Sequence, residues 1–416
     1  MKYYELWYEF NKTDNAKESL ETYVENYEEC VKNQLEVISC DKDIALNIPV
    51  FEEIININGI KTIFEYPNLS FFSPSIVKNM SNGKRAPLAI DYSISFEVNT
   101  ASELYKYFDN KNTVDGFVDT LHTFLDRNYN IDPMFYMIEN ISKGEETADF
   151  YKNMFCIKKL MTCDMKHYKK TEREIKSIFS DEEVKLLVQK DIEDLKKKFK
   201  SIIEDAQKQH LIMKIILLVI HLGILNHKEE KSFFKYIIKF MDEKLNAIML
   251  REFVIAINYF NFEKEKNKKF KGTNERHKYE IFNKLNVKIK ADFFKNINNV
   301  AWDFTLVRQL EMYFSSKPNP NADFFIPFLF TYDKGLQEVM KMFYCKDFLI
   351  FHKDKRTIPI PNNINTSKFA EYGIEKYFTE QAHINRMDNK NIDYEKIFEE
   401  LKLKLISKNK KRYNWS

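Results

Sequence analysis

Between residues 150 and 290 the chain carries no proline, and its apolar residues recur at helical spacing almost throughout. EDLKKKFKSIIEDAQKQHLIMKIILLVIHLGIL (193–225) and KSFFKYIIKFMDEKLNAIMLREFVIAINYF (231–260) repeat that period over many turns. A segment of this kind folds only as a helical body. Glycine reinforces the constraint: there are 8 in 416 residues, against a usual share of about 7%. Gly-rich phosphate loops and β-propellers are thereby disfavoured, and neither a Walker loop nor a GxGxxG occurs. The 36 Phe and 23 Tyr supply core-forming surface, the opposite of a disordered composition.

The most apolar run, LIMKIILLVIHLGIL (211–225), includes Lys214 and His221 and is shorter than the roughly 18–20 residues of a membrane span. It reads as a buried helix. MKYYELWYEF places Glu5 and Glu9 among aromatics and is no signal peptide. Cys30, Cys40, Cys156, Cys163 and Cys345 are odd in number, scattered and without zinc spacing, as reduced thiols would be. A soluble cytoplasmic protein with no membrane partner is expected. The formal charge of +3 hides an acidic head, with 5 Lys/Arg against 13 Asp/Glu in 1–60. Residues 261–290 reverse this, with 10 against 4, and 402–416 hold six Lys/Arg and no acid.

Strand and helix signals alternate on both sides of the helical block. APLAIDYS (86–93) reads as a buried strand, followed by helices over 100–108, 114–128 and 132–144, the last with Pro133 near its start and Gly144 at its end. After 300 come a helix at 301–315, a strand FFIPFLFT (324–331), a helix at 333–344 and a strand DFLIFHK (347–353). TIPIPNNINTS (357–367) reads as a linker. The expected fold is α/β, divided into an acidic N-terminal region (1–84), the two halves of one α/β domain (85–149 and 291–356), an all-α insertion between them (150–290), and a linker with C-terminal helices and a basic tail (357–416).

Acids punctuate these elements. Asp91 ends the strand LAID, Glu139 lies in FYMIEN, Asp303 opens WDFTLVRQLE, and Asp333 follows a strand in Thr331-Tyr332-Asp333. In a parallel α/β sheet the strand ends converge on one rim, so acids distant in sequence meet in space. A carboxylate cluster is the ligand set that hard Mg²⁺ or Mn²⁺ prefers.

Asp91-Tyr92-Ser93, Glu139 in MFYMIENISKG, Asp303 in AWDFTLVRQLE and FLFTYDKGLQEV together resemble the motifs of the PIN-domain nucleases, the FEN-like metal-dependent phosphodiesterases. The resemblance covers roughly 85–145 and 295–355. It implies a three-layer α/β/α fold with a central parallel sheet, and hydrolysis of RNA, with DNA second, by a metal-activated water. Asp91, Glu139, Asp303 and Asp333 would hold Mg²⁺ or Mn²⁺, with Ser93 and Thr331 orienting carboxylates or waters. Glu97 and Glu103 are alternatives for the acid near the first strand, and Asp132 for the one near the second helix. The reading requires Asp91 and Asp333 to meet. Arg308 is a candidate phosphate clamp, with an ion pair to Glu311 as its other use. Lys268, Lys269, Lys271, Arg276 and Lys278, interleaved with aromatics, are candidate nucleic-acid contacts. A bacterial toxin or antiphage effector with a regulatory protein partner fits this class. The rival reading is a non-catalytic helical interaction protein whose PIN-like portion is degenerate.

Overall fold

A computed structural model of the chain describes residues 3–42, 49–85, 88–265, 280–285, 291–316, 318–354, 356–362, 368–387 and 392–413. Three short helices open it: α1 (Tyr3–Lys12), α2 (Ala16–Glu25) and α3 (Tyr27–Lys32). Strand β1 (Leu35–Cys40), helix α4 (Pro49–Ile55), strands β2 (Ile60–Lys61) and β3 (Leu69–Phe72) and helix α5 (Pro74–Ser81) follow. Next come β4 (Ile90–Phe96), α6 (Val98–Phe108), α7 (Phe117–Asp126), β5 (Ile131–Asp132) and α8 (Met134–Lys143). The helical block comprises α9 (Ala148–Met161), α10 (Met165–Lys170), α11 (Asp181–Lys198), α12 (Lys200–Asn226), α13 (Glu230–Leu245), α14 (Leu250–Glu265) and α15 (Glu280–Asn283). Helix α16 (Ala291–Tyr313), β6 (Phe324–Phe330), α17 (Lys334–Met342), β7 (Cys345–Phe351) and β8 (Arg356–Pro361) return to α/β. The chain then runs through α18 (Lys368–Tyr372), α19 (Glu380–Met387) and α20 (Tyr394–Tyr413).

The strands form two sheets where one parallel sheet was expected. One is antiparallel, in the order β3-β1-β7-β8; the other has the order β2-β6-β4-β5, with β4 parallel to both β6 and β5. The strand at 347–353 therefore pairs with β1 of the acidic N-terminal region and lies outside the parallel sheet. The expected linker at 357 begins as strand β8. Its Pro359 and Pro361 are tolerated because β8 is an edge, where a missing N–H costs no ladder bond. Thr13 and Ser19 donate to the buried Asp347 carboxylate and tie the first helices to β7.

Helices cover the parallel sheet on both faces. On one, Tyr313 of α16 meets Phe325 at 5.1 Å and Phe135 of α8 at 5.4 Å. On the other, Phe117 of α7 stacks on Phe330 at 5.7 Å, and Phe51 of α4 meets Phe328 at 5.8 Å. The wholly buried, unalternating sequence of β6 follows from this double cover. Pro133 and Gly144 bound α8, as the sequence suggests; Gly144 takes the left-handed conformation at its end. Helix α12 holds the apolar run 211–225 against α8, α13, α14, α16 and α20. It is the described helix whose length and hydropathy also suit a membrane crossing, and 56% of that window is buried in the protein. All five cysteines are free.

Gly59 sits where β2 turns beside β6. Its φ of +84° suits glycine, its carbonyl accepts from Thr331 N–H, and an added Cβ would stand 2.9 Å from the Phe330 ring. Gly59→Ala is expected to cost roughly 1–3 kcal/mol through backbone strain and overpacking. Urea denaturation measures this, and an unchanged midpoint would contradict the packing described.

Candidate active site

Parallel pairing in register from Ile90↔Phe324 to Phe96↔Phe330 makes β4 and β6 end side by side. The next residues are Glu97 on one strand and Thr331 on the other. Glu97 caps α6: its Oε2 accepts from Asn99 N–H at 2.8 Å. Thr331, fully buried, donates to Glu97 Oε1 at 3.1 Å and accepts from Asp333 N–H at 3.0 Å. Asp333 in turn caps α17, accepting from Leu336 N–H at 3.0 Å. One threonine hydroxyl therefore links the two acids that begin neighbouring helices. Thr100 closes the arrangement by donating to the last carbonyl of β6, Phe330 O, at 2.8 Å.

Helices α8 and α16 bring the other two acids. Glu139 pairs with Lys143 at 2.5 Å, both side chains mostly buried. Lys143 also stands 5.4 Å from the centroid of the Trp302 ring. Asp303 faces Lys284 across 3.7 Å. Gly335 leaves room here: a Cβ would lie 3.0 Å from Asp333 Oδ1 and 3.9 Å from Lys284 Nζ. Two of the four carboxyls, Glu97 and Asp303, are raised. Burial pushes Glu97 up to about 8, with Glu139 and Asp333 adding to the rise. Asp303 is pushed up to about 7, first by burial; Lys284 and Lys143 oppose the rise while Asp333 and Glu139 add to it. Beneath the cluster, Asp132 Oδ1 accepts from Ser95 Oγ at 2.7 Å and from Met134 N–H at 2.8 Å. It thereby ties the start of α8 to β4. Burial raises the Asp132 carboxyl as well.

Several sequence expectations are corrected. Asp91 does not reach the cluster. It is the second residue of β4, opposite Phe325, accepts from its own neighbour Tyr92 N–H, and stands about 20 Å of strand before Glu97. The apolar run LAI was read as the strand itself, whereas the alternation Ile90, Tyr92, Ile94, Phe96 carries the strand onward. Ser93, expected beside Asp91 in a metal shell, is buried two residues before Ser95 on the face that carries Asp132. Asp303 lies in mid-helix, because α16 starts at Ala291. Arg308 takes the other use named for it, an ion pair. It pairs with Glu311 at 2.5 Å and Glu252 at 3.5 Å, and Arg251 stands 2.7 Å from Glu311. Glu103 accepts from Lys106 and from Val114 N–H, holding the loop after α6. Lys268, Lys269, Lys271, Arg276 and Lys278 lie outside the described residues.

Glu97, Glu139, Asp303 and Asp333 lie near one another, with Thr331 linking Glu97 to Asp333; Glu97, one of the alternatives named for the acid near the first strand, stands at the end of β4 and Asp91 does not. Lys143, Lys284 and Trp302 were not foreseen. Among the described residues, no group of three or more acid, histidine or cysteine side chains is placed to hold a metal ion; two of the four acids face lysines instead. His210 is a core histidine. It stacks on Trp302 at 4.1 Å, donates from Nε2 to Asn298 O, and is pushed down to about 4 by burial. No family model, curated protein or solved structure matches the chain.

The raised Glu97 carboxyl has a consequence for stability. Its proton is kept to about 8 in the folded protein, while the unfolded chain releases it near 4.3. The resulting stabilisation is full at low pH and is lost as pH rises through that window. Denaturation of wild type and Glu97→Gln in chelator at pH 5 and 8 tests this. The variant should gain on wild type as pH rises, by at most about 1.4 kcal/mol per pH unit. A gap that does not change with pH would contradict it.

Proposed function

We propose that the chain is a metal-dependent endonuclease of PIN-like type, cutting RNA in preference to DNA; because Asp91 does not meet Asp333, the proposal gives up the Asp91 motif and takes Glu97 as the acid of the first strand. The observation that carries this reading is the gathering of Glu97, Glu139, Asp303 and Asp333 at the carboxyl edge of β4 and β6. The helices on both faces of that sheet support the three-layer arrangement the resemblance implies.

The donor chemistry is of the kind Mg²⁺ or Mn²⁺ takes, although among the described residues the side chains as placed form no metal site, so Lys143 and Lys284 would have to give way to an ion. The donor set is all carboxylate oxygen, and burial leaves two of the acids holding protons they would release to a cation. The lysine ammonium groups beside Asp303 and Glu139 stand in as the positive charge such acids require. Glu97 and Asp333 would hold the ion, with Asp303 and Glu139 joining directly or through water. When bound, it supplies an acidified water and neutralises charge on a phosphodiester.

The remaining work belongs to the chain's own side chains. Thr331 fixes Glu97 and Asp333 relative to each other. Lys143, held by Glu139 against Trp302, offers a positioned cation for charge that builds on the phosphate. Lys284 balances Asp303 until substrate or metal arrives.

A second reading, a non-catalytic interaction protein with a degenerate site, is favoured by the two lysine–acid pairs. Incubation with labelled RNA and DNA, with Mn²⁺ or with chelator, separates the two. Metal-dependent cleavage is expected. Asp333→Asn and Glu97→Gln should each lower it by about a hundredfold or more, while Asp91→Asn leaves it within about twofold. Loss of cleavage in Asp91→Asn, or its survival in Asp333→Asn, would overturn the assignment.

A further inference from the structure

A groove of about 540 Å³ opens between the end of α6, the outer face of α9 and the first half of α11. Four rings line it: Tyr105, Phe108, Tyr151 and Phe155. Lys152 Nζ stands 5.8 Å from the Tyr105 centroid, and Lys159 Nζ stands 5.3 Å from that of Phe155 and 5.7 Å from that of Phe108. Lys185 adds a third ammonium group, against one lining acid, Asp109.

The three lysines face Asp149, Asp181 and Glu182 at 3.0, 3.1 and 4.0 Å, but those acids are exposed. Exposed pairs hold weakly and exchange readily for another anion. Rings interleaved with cations suit a ligand that is planar and anionic at once: bases stack on the rings while phosphates follow the ammonium groups. An acidic peptide would satisfy the lysines and leave the rings without planar partners.

Helix α6 connects this groove to the acid cluster. Glu97 caps its start, and Phe108 is its last residue. Eleven residues at 1.5 Å each separate them by about 16 Å, the span of a few nucleotides. We propose that the groove between α6, α9 and α11 binds the single-stranded RNA that leads to the acid cluster, its rings taking bases and its lysines phosphates. This rests on the nuclease reading for its direction, though not for binding itself.

The test uses the full chain carrying Asp333→Asn, in chelator, with a fluorescent twelve-nucleotide single-stranded RNA followed by anisotropy. Tyr151 and Lys185 are exposed, so Tyr151→Ala and Lys152→Glu/Lys185→Glu should fold normally, which circular dichroism verifies. Tyr151→Ala should weaken binding by about tenfold, and the double reversal should flatten the salt dependence. With the acid cluster intact, the same groove variants should raise KM for the twelve-mer while leaving kcat. For cleavage of a dinucleotide, too short to reach the groove while it lies at the cluster, KM should be the same in variant and parent. Unchanged affinity and salt dependence in both variants would overturn the inference, as would a polyglutamate peptide competing as well as RNA. Groove-dependent binding without any cleavage would keep this inference and remove the nuclease. Cleavage with unaltered KM in the groove variants would do the reverse.

Discussion

The parallel pairing of β4 with β6 is the constraint on which the rest depends. Two parallel strands end at the same edge, and each here is followed at once by a helix whose first turn needs an acceptor for its free N–H groups. Glu97 and Asp333 fill those cap positions, so ordinary helix starts deliver two carboxylates to one place. Thr331 and Thr100 fasten the strand ends across the pair. A slip of one residue in β4 would turn Glu97 to the opposite face and break both links.

Bringing acids together under helices is costly, because burial disfavours the charged form and like charges repel. The chain meets that cost in two ways. Glu97 and Asp303 hold their protons well above the usual carboxylate range, and Lys143 and Lys284 stand beside Glu139 and Asp303. Glu97 and Asp333 recover part of that cost as helix caps, while Glu139 and Asp303 cap nothing and rely on their lysines. The buried pairs of Arg251 and Arg308 with Glu311 show the contrast, since their charges compensate one another within the core.

How much of this was legible in the sequence varied with the type of signal. Strand β6 and helix α17 carry strong local patterns, an unbroken apolar run into a Thr-x-Asp cap, and both were read within a residue or two. Helix α8 was marked by Pro133 and Gly144. Strand β4 was displaced because Ser93 and Ser95 interrupt its apolar character; only the partner face, with Asp132, explains them. That displacement put Asp91 where Glu97 belongs, although an acid followed three residues later by Thr100 at the start of a helical period is itself a cap signal. Lys143 was visible only as the end of a helix, and Lys284 only as one base in a basic segment. Their approach to the acids depends on how α8, α15 and α16 meet, which no local period encodes. The antiparallel sheet was missed because it joins residues 35–40 to 345–351, a pairing that alternation alone does not specify.

Diffraction from crystals soaked in Mn²⁺, recorded at the manganese edge, tests the central claim most directly. An anomalous peak bonded to carboxylate oxygens of Glu97 and Asp333, with Lys284 displaced from Asp303, is the expected result. A protein that leaves those acids on Asn99, Thr331 and Leu336 and takes no manganese among them, or takes it beside Asp91, would contradict it.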